Sequence, residues 1–289
     1  MTDAAAAPVQ GAARMICLCV DDFGMHSGVD SAALRLAEMG RVHAVSVLVG
    51  GKSWVASSPS LRGMHALGID IGLHLDLTET PLLGGPHRTL REMILDSYLR
   101  RLDRRVIRAE IRAQFDAFEQ AMGRGPAFID GHQHVHQLPG VRSELLAELQ
   151  ARDRGSMPWI RSARPPHGWS SGVAGWFKPR VIAWLGSGGL QSAARRRGYP
   201  QNRHLLGVYD FRGGRSRYRE LLDKWFGSAS DGDLLMCHPS QTLHESDPLG
   251  RARQAEFEVL SGAEFDAALQ RARLQLAPMS RILERRHGG

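Results

Sequence analysis

Met15 to Val20 reads MICLCV and runs straight into Asp21-Asp22-Phe23-Gly24. Six apolar residues bounded by charge form a buried-strand pattern, too short for a core helix. A helix-period stretch follows from about Ser27 to Met39 and closes at Gly40. The alternation then repeats. His43 to Val49 and Ile69 to Leu77 read as strands, the second with period-two character. Arg104 to Met122 reads as a long helix that stops at Gly123-Arg124-Gly125-Pro126. Ala127 to Asp130 is a short strand, a helix follows Pro139-Gly140, and Trp159-Ile160-Arg161 is a brief strand. Asp233 to Cys237 is the last clear strand, with helical pattern from about Arg251 to Glu284. Strands separated by helices imply βα units, hence an α/β fold with a mainly parallel sheet.

The 289 residues suit one (β/α) barrel, with a loose tail over 1–14 and a single domain over 15–289. Residues 164–215, rich in Pro, Gly, Ser, Arg and Trp, break the rhythm and read as an insert or lid. Hydrophobic residues make up 43% and charged residues 23%, which excludes a disordered chain. No run approaches the ~18 apolar residues of a membrane-spanning helix. Three cysteines, Cys17, Cys19 and Cys237, cannot form a disulfide framework and read as small buried hydrophobes. The N-terminal stretch lacks the charged-then-apolar signal pattern, so the expected compartment is the cytoplasm. The net charge of +7 invites a nucleic-acid reading. The arginines are dispersed, however, and the cluster Arg100, Arg101, Arg104, Arg105 and Arg108 has helical spacing with Asp103 and Glu110 nearby. A solvated helix face is the simpler account, and no obligate nucleic-acid partner is expected.

The chemistry is legible in position. Four polar groups begin where apolar strands end: Asp21-Asp22, His74-Leu75-Asp76, Asp130-x-His132-x-His134-x-His136, and His238. In a parallel barrel all strand C-termini open on one face, so four such endings predict one convergent site. Adjacent carboxylates repel when buried, and a divalent cation resolves the conflict by taking one and leaving the other as a base. An N-cap for the helix from Ser27 is the plainer alternative. His74 is expected to face inward with a partner. His132, His134 and His136 alternate, which in extended chain puts all three on one side; metal ligation or a proton relay would stabilise them. Spacing alone does not say which of them binds a metal, and Asp130 can orient a ligand from behind. His238, before Pro239, suits a general acid at the cavity rim, and Arg161 or Arg164 can pair with an aspartate base. Asp76, His26 and His43 read as structural. A carboxylate, two imidazoles, a second carboxylate and a distal histidine are the equipment of metal-assisted amide or ester hydrolysis.

In order along the chain, Val20-Asp21-Asp22-Phe23-Gly24, Gly72-Leu73-His74-Leu75-Asp76-Leu77-Thr78, Asp130-Gly131-His132-Gln133-His134-Val135-His136 and Met236-Cys237-His238-Pro239 resemble the YdjC-like carbohydrate deacetylase family, which includes chitooligosaccharide deacetylases and hopanoid-associated relatives. The resemblance spans roughly residues 15 to 260. Val20, Gly131 and Ser240 depart from the residues common at those positions, and none is a ligand. The resemblance implies a distorted barrel, one divalent metal ion (Mg²⁺ or Zn²⁺), and removal of acetyl from an N-acetylated amino sugar. Carried over, Asp22, His74 and His132 are the metal ligands and Asp21 the base. By analogy with related polysaccharide deacetylases His238 is the acid. Arg161 joins the catalytic group, and His134, His136 and Asp130 the substrate-binding one.

The expectation is therefore a carbohydrate N-deacetylase acting on an N-acetylated sugar or glycolipid, with a homodimer allowed. The alternatives are a metal-dependent phosphoesterase and a non-catalytic glycan- or nucleic-acid-binding module on the same scaffold. Trp159, Trp169 and Trp176 can stack on sugar rings or pack in the core.

Overall fold

The apolar runs form the strands of one curled parallel sheet. A computed structural model describes residues 13–84, 88–152, 155, 157–166 and 185–287. Most of the expected tail, the centre of the expected insert, and Trp169 and Trp176 lie outside the described residues. The elements are β1 (Arg14–Phe23), α1 (Ser27–Glu38), β2 (Ala44–Val47), α2 (Trp54–Ala66), β3 (Asp70–Leu75), α3 (Leu90–Tyr98), α4 (Arg104–Met122), β4 (Phe128–Gly131), a tight helical turn (His132–Gln137), α5 (Pro139–Ala151), β5 (Trp159–Ile160), α6 (Ser187–Arg195), β6 (Leu205–Leu206), α7 (Gly214–Ser228), β7 (Leu234–Cys237), α8 (Gly250–Ser261), α9 (Glu264–Ala272), β8 (Leu274–Leu276) and α10 (Met279–His287).

The strand order is β5-β4-β3-β2-β1-β7-β6, with β8 pairing the start of β1, and every pairing is parallel. This is the expected distorted (β/α) barrel. Its seam lies between β5 and β6, where single contacts replace a ladder. The Asn202 amide accepts from Ser162 N–H at 2.7 Å and donates to the Ser162 and His204 carbonyls at 3.0 and 2.9 Å. Leu205 N–H donates to the Arg164 carbonyl at 2.7 Å. Part of the 164–215 stretch is thus built into the barrel, as α6 and β6, rather than lying outside it.

Period two sorts each strand into an outer and an inner face. Ile16, Leu18 and Val20 meet the helices, whereas Cys17 and Cys19 point inward with Ala44, Phe128, Trp159, Leu205, Leu234 and Met236. All three cysteines are free and buried. The inner layers are small or apolar at the strand N-termini. Phe128 and Trp159 stack there at 4.1 Å, which gives Trp159 a packing role. Gly72 makes room for that pair, because a Cβ on it would lie 2.4 Å from the Phe128 ring. Below, α10 closes the barrel with Met279, Ile282 and Leu283. Asp70 holds it there, accepting from Ser280 Oγ at 2.6 Å and from Trp159 Nε1 at 3.0 Å.

One step further along the same inner columns the residues turn polar: Asp21 on β1, Ser46 on β2, His74 on β3, Asp130 on β4, Arg161 after β5 and His238 after β7. The column structure gathers this polarity at the C-terminal mouth, and Asp70 is the buried charge at the opposite end of the β3 column.

Two local expectations differ from the structure. β1 runs to Phe23, past the aspartates. The helical span from Arg251 is broken at Gly262 and again by β8, after Arg273 closes α9 at φ +52°. The arginine cluster is exposed, as a solvated helix face would be, and from it Arg104 and Arg108 also reach the buried Glu144 of α5, at 2.5 and 2.6 Å. No helix among the described residues is long and apolar enough to cross a membrane.

Candidate functional site

In a regular strand Asp21 and Asp22 would point to opposite faces. The β1–β2 register explains why they do not. Val20 pairs with Val45 and Phe23 with Val47, so β1 carries one extra residue across that interval. Asp22 takes the left-handed φ of +66°. This bulge re-aims the strand so that both carboxylates reach the barrel mouth. The N-cap alternative fails: α1 follows His26, and Asp30 accepts from Gly24 N–H at 2.7 Å.

Asp22 Oδ1 lies 3.3 Å from His74 Nε2 and 3.0 Å from His132 Nδ1. Its other oxygen accepts from Arg253 Nη2 at 2.7 Å. Burial opposes its ionisation, but the Arg253 guanidinium and His132 override that and hold its carboxyl well below the usual range. His74 is fixed from behind, with Nδ1 donating to Asp130 Oδ1 at 2.7 Å. Ser46 Oγ donates to the same oxygen at 2.5 Å. Burial works against protonation of His74, yet Asp130 and Asp22 raise its pKa to about 9. His132 rises well above its ordinary value against the same desolvation, through Asp22 and Glu79.

Arg161 is fully buried and grips Asp21 with both terminal nitrogens, Nη1 to Oδ2 at 2.5 Å and Nη2 to Oδ1 at 2.6 Å. Nη2 also lies 2.6 Å from Asp130 Oδ2. Beyond Asp21, His238 Nε2 stands 3.9 Å from Oδ2. Burial lowers the pKa of His238 to about 4. Asp21, Asp22, His74, His132, His238 and Arg253 open into one cavity of about 680 Å³, lined also by Lys52, Glu79, His134, Tyr209, Phe211, Met236 and Asp247, while Arg161, Asp130 and Ser46 stand buried behind it.

One expectation about the histidines is corrected. His132, His134 and His136 do not form an extended ribbon, because residues 132–137 make a tight turn with Gln133 and His134 left-handed at φ +51° and +60°. His132 meets Asp22 and His134 lines the cavity. His136 is buried beneath, where its Nε2 donates to the Arg161 carbonyl at 3.0 Å. Desolvation takes His136 down to about 4, so it stays neutral and fixes the backbone at Arg161, just past β5. Asp130 likewise braces His74 and Arg161 from below. Asp76 accepts from Thr78, Glu79 and Thr80 N–H groups and shapes the loop that brings Glu79 Oε1 to 3.3 Å from His132 Nε2.

Three buried residues escaped the sequence reading. Arg253 joins Asp22 to Asp247, whose Oδ2 is 2.9 Å from Arg253 Nε. Glu256 accepts from the His238 backbone N–H at 2.6 Å and from Tyr209 OH at 2.7 Å. Desolvation raises its pKa to about 7. Ser46 completes the set. The available signals were a serine inside an apolar strand, and an Arg–Glu pair three apart on a helix face shared with Ala255, Val259 and Leu260.

Among the described residues, two groupings of side chains have the donor spacing to hold an ion: Asp22, His74 and His132, and Asp21, His74 and Asp130, with one donor atom each within 4.8 Å of one another. The second already contains a cation, the guanidinium of Arg161. The first fits a divalent ion. It offers two imidazoles and a carboxylate, and His74 donates its remaining ring N–H to a carboxylate as metal-bound histidines do.

The chain resembles named proteins over parts of its length. It is 29% identical to a mouse carbohydrate deacetylase over 199 residues, covering 64% of this chain and 61% of that one. It is 33% identical to a human carbohydrate deacetylase over 144 residues (45% and 44%). To a chitooligosaccharide deacetylase of Escherichia fergusonii it is 30% identical over 135 residues (44% and 52%). The matches thus span less than two thirds of these relatives. Among solved structures, a protein of Enterococcus faecalis V583 provisionally assigned to cellobiose-phosphate cleavage superposes with a TM-score of 0.66 at 19% identity, covering 94% of this chain and all of that one. An uncharacterized protein of Agrobacterium tumefaciens C58 gives 0.52 at 12%, covering 96% and 92%. These two share the fold. The model of the YdjC-like protein family matches residues 15–271, from the first strand of the barrel through α9 and every motif that builds the mouth, and the chain belongs to that family.

Proposed function

We propose that the chain is a metal-dependent deacetylase that removes acetyl from N-acetylated amino sugars. One observation carries the reading: two adjacent carboxylates at one cavity, Asp22 facing two imidazoles and Asp21 clamped by Arg161 with His238 beyond it. The names of the curated relatives point to the same reaction class.

Asp22, His74 and His132 would hold the ion. When bound, a divalent ion there polarises the acetyl carbonyl and lowers the pKa of water. Asp21 takes the proton from the attacking water as its oxygen bonds to the acetyl carbon. Arg161 keeps both Asp21 oxygens in register, so the base costs little to orient during the reaction. His238, on the far side of Asp21, delivers a proton to the amine nitrogen as the C–N bond breaks, releasing acetate and the free amino sugar. Burial favours the neutral form of His238 in the free protein, so its role as acid requires that bound substrate bring the protonated form within reach. Asp130 acts on the reaction through His74 and Arg161, and His134 offers a neutral ring to the cavity wall.

Acetate release from N-acetylated chito-oligosaccharides is the test. The expected result is turnover that a chelator abolishes, added Zn²⁺ or Mg²⁺ restores, and Asp21→Asn eliminates. Full activity of that variant would reject the base. Phosphate release from generic esters without acetate release would replace the reading with a phosphoesterase.

A further inference from the structure

Phe211 lies in the loop between β6 and α7, and its backbone takes φ +57°. A bulky side chain rarely accepts that conformation, because its Cβ crowds the neighbouring carbonyl; such outliers cluster at sites where the surroundings enforce them. The enforcement is visible. Tyr209, two residues earlier, is buried, donates its hydroxyl to Glu256, and lies with its ring centroid 4.7 Å from that of Phe211. Gly207 fixes the start of the loop at φ +91°, where a Cβ would meet the Met236 carbonyl. Held this way, the Phe211 ring stands edge-on to His238 with centroids 5.3 Å apart at 74°. Tyr209 and Phe211 are the two non-histidine aromatics among the described residues lining the cavity, and of these Phe211 is the one left partly exposed.

We infer that Phe211 is a specificity-determining platform, on which the pyranose ring of the substrate lays its C–H face. The inference rests on the deacetylase reading for the reaction, though not for the contact itself. An aromatic face favours a rigid ring with a continuous apolar side over an extended acetamide such as an N-acetylated peptide. Stacking of this kind is the same in the ground and transition states, so it acts on binding rather than on the chemical step.

The test compares wild type with Phe211→Leu, Phe211→Tyr and Phe211→Trp. Leucine keeps apolar bulk, and a melting temperature near that of wild type confirms that packing survives. Affinity for N,N′-diacetylchitobiose is measured by calorimetry, and KM and kcat by acetate release. The expected result for Phe211→Leu is a KM and a dissociation constant raised roughly ten-fold at unchanged kcat, the scale of one aromatic contact, with Tyr and Trp restoring both. A dissociation constant within two-fold of wild type in Phe211→Leu, or no rescue by the aromatic variants, overturns the platform. If wild type binds the disaccharide and Phe211→Leu weakens that binding, yet no acetate is released, the platform stands and the reaction assignment falls.

Discussion

Replacing Arg161 by methionine tests the electrostatic core of the site. The guanidinium is completely buried and makes three charge-assisted contacts, two to Asp21 and one to Asp130, at 2.5 to 2.6 Å. In the variant Asp130 keeps Ser46 and His74, whereas Asp21 is left at 2% exposure with His238 3.9 Å away. Breaking a buried pair from one side costs about 3–5 kcal/mol, because the stranded charge stays desolvated. At roughly 2–4 °C per kcal/mol for a chain of this size, the melting temperature should drop by on the order of 10 °C. Urea unfolding measures the loss, and Asp130→Asn added to the Arg161→Met variant should recover part of it. A variant within 1 kcal/mol of wild type would refute the account of Asp21 as a carboxylate held by Arg161.

Glu256 carries a pH signature of its own. Its pKa rises from 4.5 to about 7, so ionisation disfavours the fold and stability drains away as pH climbs from about 4.5 through 7. At ~1.4 kcal/mol per unit the effect is on the order of 3 kcal/mol; wild-type stability relative to Glu256→Gln should fall by about that much from pH 4.5 to 8, and a flat difference would contradict it. Gly72→Ala should cost about 1–3 kcal/mol by overpacking against Phe128, with Phe128→Leu partly rescuing it; a neutral effect in thermal unfolding would remove the close approach from the account. Asn202→Ala should cost about 3 kcal/mol, since the Ser162 N–H and two carbonyls lose their partner at the seam. Unchanged unfolding would mean that water replaces the amide freely.

The strands, the helix Arg104–Met122 and the α/β class were legible in the sequence, because period two and period 3.6 are local properties of burial. The polar strand endings marked the mouth of the barrel for the same reason, as a column that is apolar at Cys17 and Cys19 and acidic at Asp21 declares where the packed interior stops. The motifs also identified the family. What the chain alone did not disclose depended on backbone kinks and distant partners. The bulge that turns Asp22 beside Asp21 is a register slip against β2, and the turn that separates His132 from His136 is a pair of left-handed residues; both conformations are imposed by surroundings and leave no periodicity. Arg253 and Asp22 are 231 residues apart, and helix spacing says that a residue faces inward without saying what it meets. Sequence determined which faces are buried and where charge gathers; tertiary structure decided which charge answers which, since pairing energy falls on contacts made only after the barrel closes.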